Sequence, residues 1–147
     1  MFKHILVPTD GSKLSAKAAK QAVKLAKALG AKVTGFYAAP DYNSTYYGDG
    51  YILRAPSAKS QAEGVANQAR RYLSAIEVEA GVEKVECEVF HIVSDSPYEA
   101  IIDAAKKKKC DLILMASHGR RGLSGLVLGS ETQKVLIHSK VPVLVCR

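Results

Sequence analysis

The chain has 147 residues, of which 48% are hydrophobic and 24% charged, with 11 Gly, 5 Pro and a formal charge of +7. That length sits near the mode for one domain and leaves no room for a second, while a chain of this size buries about 68% of its unfolded surface, so its core needs no disulfide or metal staple. The composition excludes the disordered, fibrous and disulfide-rich classes, and the uneven charge, +6 over residues 1–40, −6 over 41–105 and +7 over 106–147, suits a nucleic acid, an anionic membrane or a phosphorylated small molecule alike.

In chain order, residues 2–9 form an apolar, β-branched run that ends at Pro8-Thr9-Asp10-Gly11 and predict a buried strand entering a turn. From Ser12 to Leu29, lysines at 13, 17, 20, 24 and 27 oppose Ala19, Ala22, Val23, Ala26 and Leu29, which predicts an amphipathic helix closed by Gly30. Residues 32–38 predict a second strand, and the Tyr-rich stretch 39–56 a long loop that folds over a ligand as a lid, stays disordered or packs on a partner subunit. Ala62, Val65, Ala66, Ala69, Tyr72, Leu73 and Ile76 carry helical spacing up to a stop at Gly81. Residues 84–93 alternate, as a half-exposed strand near a sheet edge does, with Glu86 and Glu88 toward water.

Ser96-Pro97-Tyr98-Glu99 reads as a capping box that opens a third helix, and Lys106-Lys107-Lys108-Lys109 complements the carbonyl-rich end of that helix. Residues 111–117 predict a fully buried strand, followed by a glycine-rich loop, a short helix at 130–139 and a last strand at 141–146. Alternating strands and helices imply right-handed βαβ crossovers and a doubly wound α/β fold, in which ligands bind beyond the carboxyl ends of the strands.

The longest apolar runs, such as Leu112 to Ala116, fall far short of the ~20 residues that span a bilayer. The apolar stretch before Pro8 is also too short for a signal peptide, so a cytosolic location is expected. Cys87, Cys110 and Cys146 are isolated and lack any metal-ligand spacing, which predicts free thiols.

The loop after the fourth strand, Ser117 to Thr132, places Gly119, Gly122, Gly125 and Gly129 ahead of a helix entered at Ser130. Glycines let amides approach a ligand closely, the Ser130 and Thr132 hydroxyls can donate to phosphate oxygens, and Arg120 or Arg121 can neutralise them. A flexible surface loop with a Ser cap fits the same spacing. Neither the GxxxxGK[ST] nor the GxGxxG pattern is present, which excludes a P-loop and a dinucleotide fingerprint.

Four features together resemble the universal stress protein family over the whole chain. They are the opening strand with Pro8-Thr9-Asp10-Gly11-Ser12, the turn Ser117-His118-Gly119-Arg120, the entry Leu128-Gly129-Ser130, and the closing Val141-Pro142-Val143-Leu144-Val145. ATP-binding members carry Gly-x2-Gly-x9-Gly-Ser/Thr after the fourth strand; this chain keeps Gly119 and Gly129-Ser130 but has Ala116 at the first position. A methyl group there is costly if the backbone needs positive φ and tolerable in strand geometry. The resemblance implies a doubly wound five-stranded parallel sheet of order 3-2-1-4-5, of the adenine nucleotide alpha hydrolase type, and a homodimer through the last strand.

It further implies an adenine nucleotide, ATP with or without Mg2+, held between the ends of strands one and four. Carried over by position, Asp10 resembles the acceptor of ribose hydroxyls, its other role being to cap the first helix. Gly119, Gly129 and Ser130 resemble the triphosphate cradle with Arg120 as a helper, and Tyr37 and Ala38 the segment that meets adenine. Pro8, Thr9, Met115, Ala116, Ser117, Glu131 and Thr132 complete the expected lining. His118 reads as a loop residue for want of a partner at readable spacing. The two basic ends are expected to converge on this crevice and to favour a small polyphosphate over nucleic acid. A nucleotide-dependent stress-response protein without robust catalysis is the leading expectation, beside a nucleotide-independent dimeric module and a slow ATP hydrolase.

Overall fold

The computed structural model describes residues 1–42, 57–120 and 127–147. Its elements are β1 (His4–Pro8), α1 (Lys13–Leu29), β2 (Lys32–Ala39), α2 (Ala58–Glu83), β3 (Cys87–Val93), α3 (Pro97–Lys107), β4 (Leu112–Ala116), α4 (Ser130–His138) and β5 (Val143–Cys146). All pairings are parallel and the order is β3-β2-β1-β4-β5, as the resemblance implied. Residues 43–56, on which the lid expectation rests, and 121–126 of the glycine loop lie outside the described residues.

Period-2 alternation splits the sheet's side chains between two cores. Ile5, Val7, Val33, Tyr37, Leu112 and Leu114 pack under α1 and α2, and Leu6, Phe36, Ile113 and Met115 pack with α3 and α4. The central β1 and β4 are buried at every position, which is why they read as unbroken apolar runs. Asp111 fixes their shared start by accepting from the amides of Lys3 and His4, at 2.8 and 2.9 Å.

Two local expectations need correcting. Gly81 does not end α2. The helix runs to Glu83, and Lys84 takes the left-handed cap at φ 57° and donates to the carbonyls of Ala80 and Gly81. A glycine inside a helix costs about 1 kcal/mol, which burial of Val65, Ala69, Leu73, Ile76 and Ala80 along one face outweighs. The capping box before α3 does not form either. Ser96 makes no side-chain cap, and the Tyr98 amide is taken by the Glu131 carboxylate of α4 at 2.9 Å, so a distant partner replaces the local one.

Charge placement also differs from expectation. The α1 lysines stand on its exposed face, with Lys27 paired to Glu83. The run at 106–109 lies beside the start of β1, at the amino end of the strands and opposite the loops that follow β1 and β4, and there Lys108 pairs with Glu88 at 3.0 Å. The 106–109 run therefore does not join the crevice, because a crossover helix begins at the carboxyl end of one strand and finishes at the amino end of the next. Among the described residues, no helix is long and apolar enough to cross a membrane.

Candidate functional site

The β1–α1 turn is built from short polar side chains. The Thr9 amide donates to the Phe36 carbonyl, which aligns it with the end of β2. Its hydroxyl accepts from the Gly11 amide at 3.1 Å and pairs with Ser15 Oγ. Ser12, rather than Asp10, caps α1 by accepting from the Ser15 amide. Asp10 is thereby released from capping, and its carboxylate accepts from the Ser12 amide at 3.0 Å and from the Arg120 amide at 2.8 Å. Burial pushes the Asp10 carboxyl up, but hydrogen bonds from Ser12, Arg120 and Ser15 outweigh it and hold the group below the usual carboxylate range. An ionised acceptor thus stands between the carboxyl ends of β1 and β4.

Gly119 closes on this carboxylate, and a Cβ there would fall 2.3 Å from Asp10 Oδ2. At Gly129, the N-cap of α4, a Cβ would fall 3.0 Å from the His118 Cα. Neither glycine has positive φ, so close approach, rather than backbone freedom, is what demands them. Ser130 lies one residue inside the helix and is not its cap. Ala116 ends β4 in strand conformation, buried and paired with Cys146, so this backbone does not require the family's glycine at that position.

Several predicted lining residues have other duties. The Thr132 hydroxyl, expected to donate to phosphate, donates instead to the Ala116 carbonyl at 3.0 Å and ties α4 to the end of β4. Glu131 is engaged by the Tyr98 amide and by Lys134. Met115 and Ala38 face the α3/α4 core, while Pro8 is buried in register with Phe36. Ser117 is fixed through its amide to the Cys146 carbonyl and through its carbonyl to the Gly129 amide. Its hydroxyl lies 3.0 Å from His118 Nδ1, a side-chain partner that the sequence reading did not give His118.

The structure therefore brings Asp10, Gly119 and Arg120 together, with Tyr37 close by. Burial, then the neighbouring tyrosines 42 and 72, raise the Tyr37 phenol to about 12, so it stays neutral. The residue that sequence reasoning missed here is Tyr72 of α2, whose ring packs edge-on against Tyr37 with centroids 5.1 Å apart and carries the Arg120 guanidinium 4.8 Å from its own centroid. Its place in an apolar helical stripe concealed it. The one local signal was Gln68 a helical turn earlier, which donates to the Tyr72 hydroxyl at 2.7 Å.

Behind Tyr72 lies a cavity of about 90 Å3, bounded by Thr9, Gly11, Ala19 and Ile76 among others. A second hollow of about 420 Å3, between Lys3, Lys27, Lys32 and Lys84, lies at the amino end of the strands and touches none of the predicted residues.

The family described as "Universal stress protein family" matches residues 1–147. Universal stress protein MJ0531 of Methanocaldococcus jannaschii is 33% identical over 150 residues, covering 100% of this chain and 83% of that protein. A universal stress protein of Thermus aquaticus is 33% identical over 152 residues and covers both chains fully, at 100%. Among solved structures, M. jannaschii protein MJ0577 superposes with a TM-score of 0.72 at 26% identity, over 99% of this chain and 95% of that one. The universal stress protein UspA of Lactobacillus plantarum shares the fold at a TM-score of 0.75 and 24% identity, over 99% and 98%. Matched from end to end and carrying the family's sheet order, this chain belongs to the universal stress protein family.

Proposed function

We propose that this chain is a nucleotide-binding universal stress protein that takes an adenine nucleotide, ATP foremost, between the ends of β1 and β4 and works as a homodimer. The observation that carries the reading is Asp10. It is an ionised carboxylate freed from helix capping, set at the topological switch point of the sheet and lined by a glycine that brings the backbone to within contact distance. Hydroxyls of a ribose are suitable donors to such an acceptor. Gly129 leaves no side chain at the start of α4, where amides and the helix dipole favour phosphate.

Proteins of the same fold have been solved in complex with cAMP and with dAMP, so the fold accommodates ligands of this class. ATP brings a polyphosphate whose charge a divalent ion would share; the residues named here supply binding and orientation, and the reading requires no turnover.

The dimer reading rests on the β5 edge. Leu144 is 44% exposed there, and Leu136 and Ile137 of α4 are 40% and 73% exposed beside it. An apolar edge strand with unpaired backbone is a template for a second copy.

One observation favours the nucleotide-independent module: Arg120 already partners Asp10 through its amide and Tyr72 through its guanidinium. Mass spectrometry of nucleotides released by denaturing the purified protein, with thermal shift on adding Mg-ATP, separates the two readings. A stoichiometric adenine nucleotide, or a rise in melting temperature, supports the first; the absence of both supports the second.

A further inference from the structure

Tyr72 lies outside the glycine frame, yet its ring carries the side chain of Arg120, the residue that follows Gly119 within that frame. The Tyr72 ring is fixed on several sides. Gln68 holds its hydroxyl at 2.7 Å, Tyr37 meets it edge-on at 82°, and the missing side chain of Gly11 leaves the space it occupies, since a Cβ there would fall 2.2 Å from the ring. On this ring rests a flat, charged group, the guanidinium of exposed Arg120 at 4.8 Å. The main chain of the same residue holds Asp10 Oδ2 at 2.8 Å.

Arg120 thus engages at once the two features a nucleoside would use, a flat aromatic face and a carboxylate acceptor. We propose that Tyr72 is the shelf on which the base of the bound nucleotide stacks, and that Arg120 keeps that place until the nucleotide arrives. This inference rests on the nucleotide reading above and names the residue that receives the base.

A guanidinium stacks on an aromatic ring through the same face-on geometry as a nucleobase. At an exposed site its attraction to the ring amounts to about 2- to 5-fold in an equilibrium, whereas a base stacked on an aromatic side chain contributes about 5- to 150-fold. The base therefore displaces it. Asp10 exchanges the Arg120 amide for ribose hydroxyls, and the released guanidinium, always charged, is free to pair with phosphate oxygens as a bidentate donor. Because stacking reads area and not edge pattern, the shelf favours purine over pyrimidine nucleotides.

The test compares wild type with Tyr72→Leu and Tyr72→Phe by calorimetric titration with ATP, CTP and inorganic triphosphate. Circular dichroism and melting curves confirm that each variant folds. Tyr72→Leu is expected to weaken ATP by about 10- to 100-fold, within the stacking range, and to leave triphosphate unchanged. Tyr72→Phe, which keeps the ring, should bind ATP within about 3-fold of wild type, and wild type should prefer ATP to CTP. A Tyr72→Leu protein that binds ATP as tightly as wild type, or that loses triphosphate as severely as ATP, overturns the shelf and leaves the nucleotide reading standing. A wild type that binds none of the three overturns both.

Discussion

Gly119→Ala tests the geometry at the heart of the crevice. The new Cβ would fall 2.3 Å from Asp10 Oδ2, short by 0.7 Å of the 3.0 Å that real contacts respect. Asp10 cannot simply turn away, because its other oxygen accepts from the Ser12 amide and the turn is fixed to α1 through Ser15. The β4 loop must therefore retreat, and a retreat of that size carries the 2.8 Å bond from the Arg120 amide to the limit of hydrogen bonding. A hydrogen bond to a charged group contributes about 1.5–3 kcal/mol, and partial exposure places this one at the lower end. A loss of about 1.5 kcal/mol lowers the melting temperature by roughly 3–6 °C in a protein of this size.

The assay is a double-mutant cycle in melting temperature and denaturant midpoint with Asp10→Ala. If the carboxylate is the obstacle, Gly119→Ala should cost less than about 0.5 kcal/mol once Asp10 is alanine, the margin within which independent sites add. Wild-type stability in the single variant would refute the reasoning, as would an equal loss with and without the Asp10 side chain.

Three further outcomes are expected. Thr132→Val should cost about 1–3 kcal/mol by leaving the buried Ala116 carbonyl without its donor, and Thr132→Ser should recover most of it; chemical denaturation of the two variants checks this. Burial first, then Lys32, lowers the His4 pKa below 6.5 against the opposing pull of Glu88 and Asp111. The unfolded chain then takes the proton first, so stability is fully present above pH 6.5 and falls as pH drops through that value toward the folded pKa; melting curves from pH 8 to 5 should show this slope, and His4→Gln should flatten it. Leu144→Glu should convert the proposed dimer to a monomer in sedimentation equilibrium without unfolding it, because the side chain is already 44% exposed in the single chain.

The fold was legible because its determinants are short-range. Buried central strands read as apolar runs, α1 declares its exposed face by lysine spacing, and Gly30 marks its end with φ 64°. The failures have one physical source, competition from distant partners. Gly81 would stop an isolated helix but not one with a buried face; the Ser96 box yields to Glu131 from a helix 33 residues later in the chain; and Lys106 to Lys109 fall at the amino end of the strands, away from the crevice, which no charge count can show. At the site, Asp10 and Gly119 were legible from position in the family's frame. Tyr72 was not, because an aromatic at core spacing acquires a second meaning only when α2 sets its ring against Gly11 and Arg120.

The central claim is that an adenine nucleotide binds where β1 and β4 end. A titration of isotopically labelled protein with ATP, followed by backbone amide resonances, tests it most directly. The account predicts saturable shifts at Asp10, Gly11, Gly119, Arg120 and Ser130, with the Arg120 amide losing its bond to Asp10, and none at Lys106 to Lys109 at the amino end of the strands. No shifts at millimolar nucleotide, or shifts confined to the lysine-lined amino end, would contradict it.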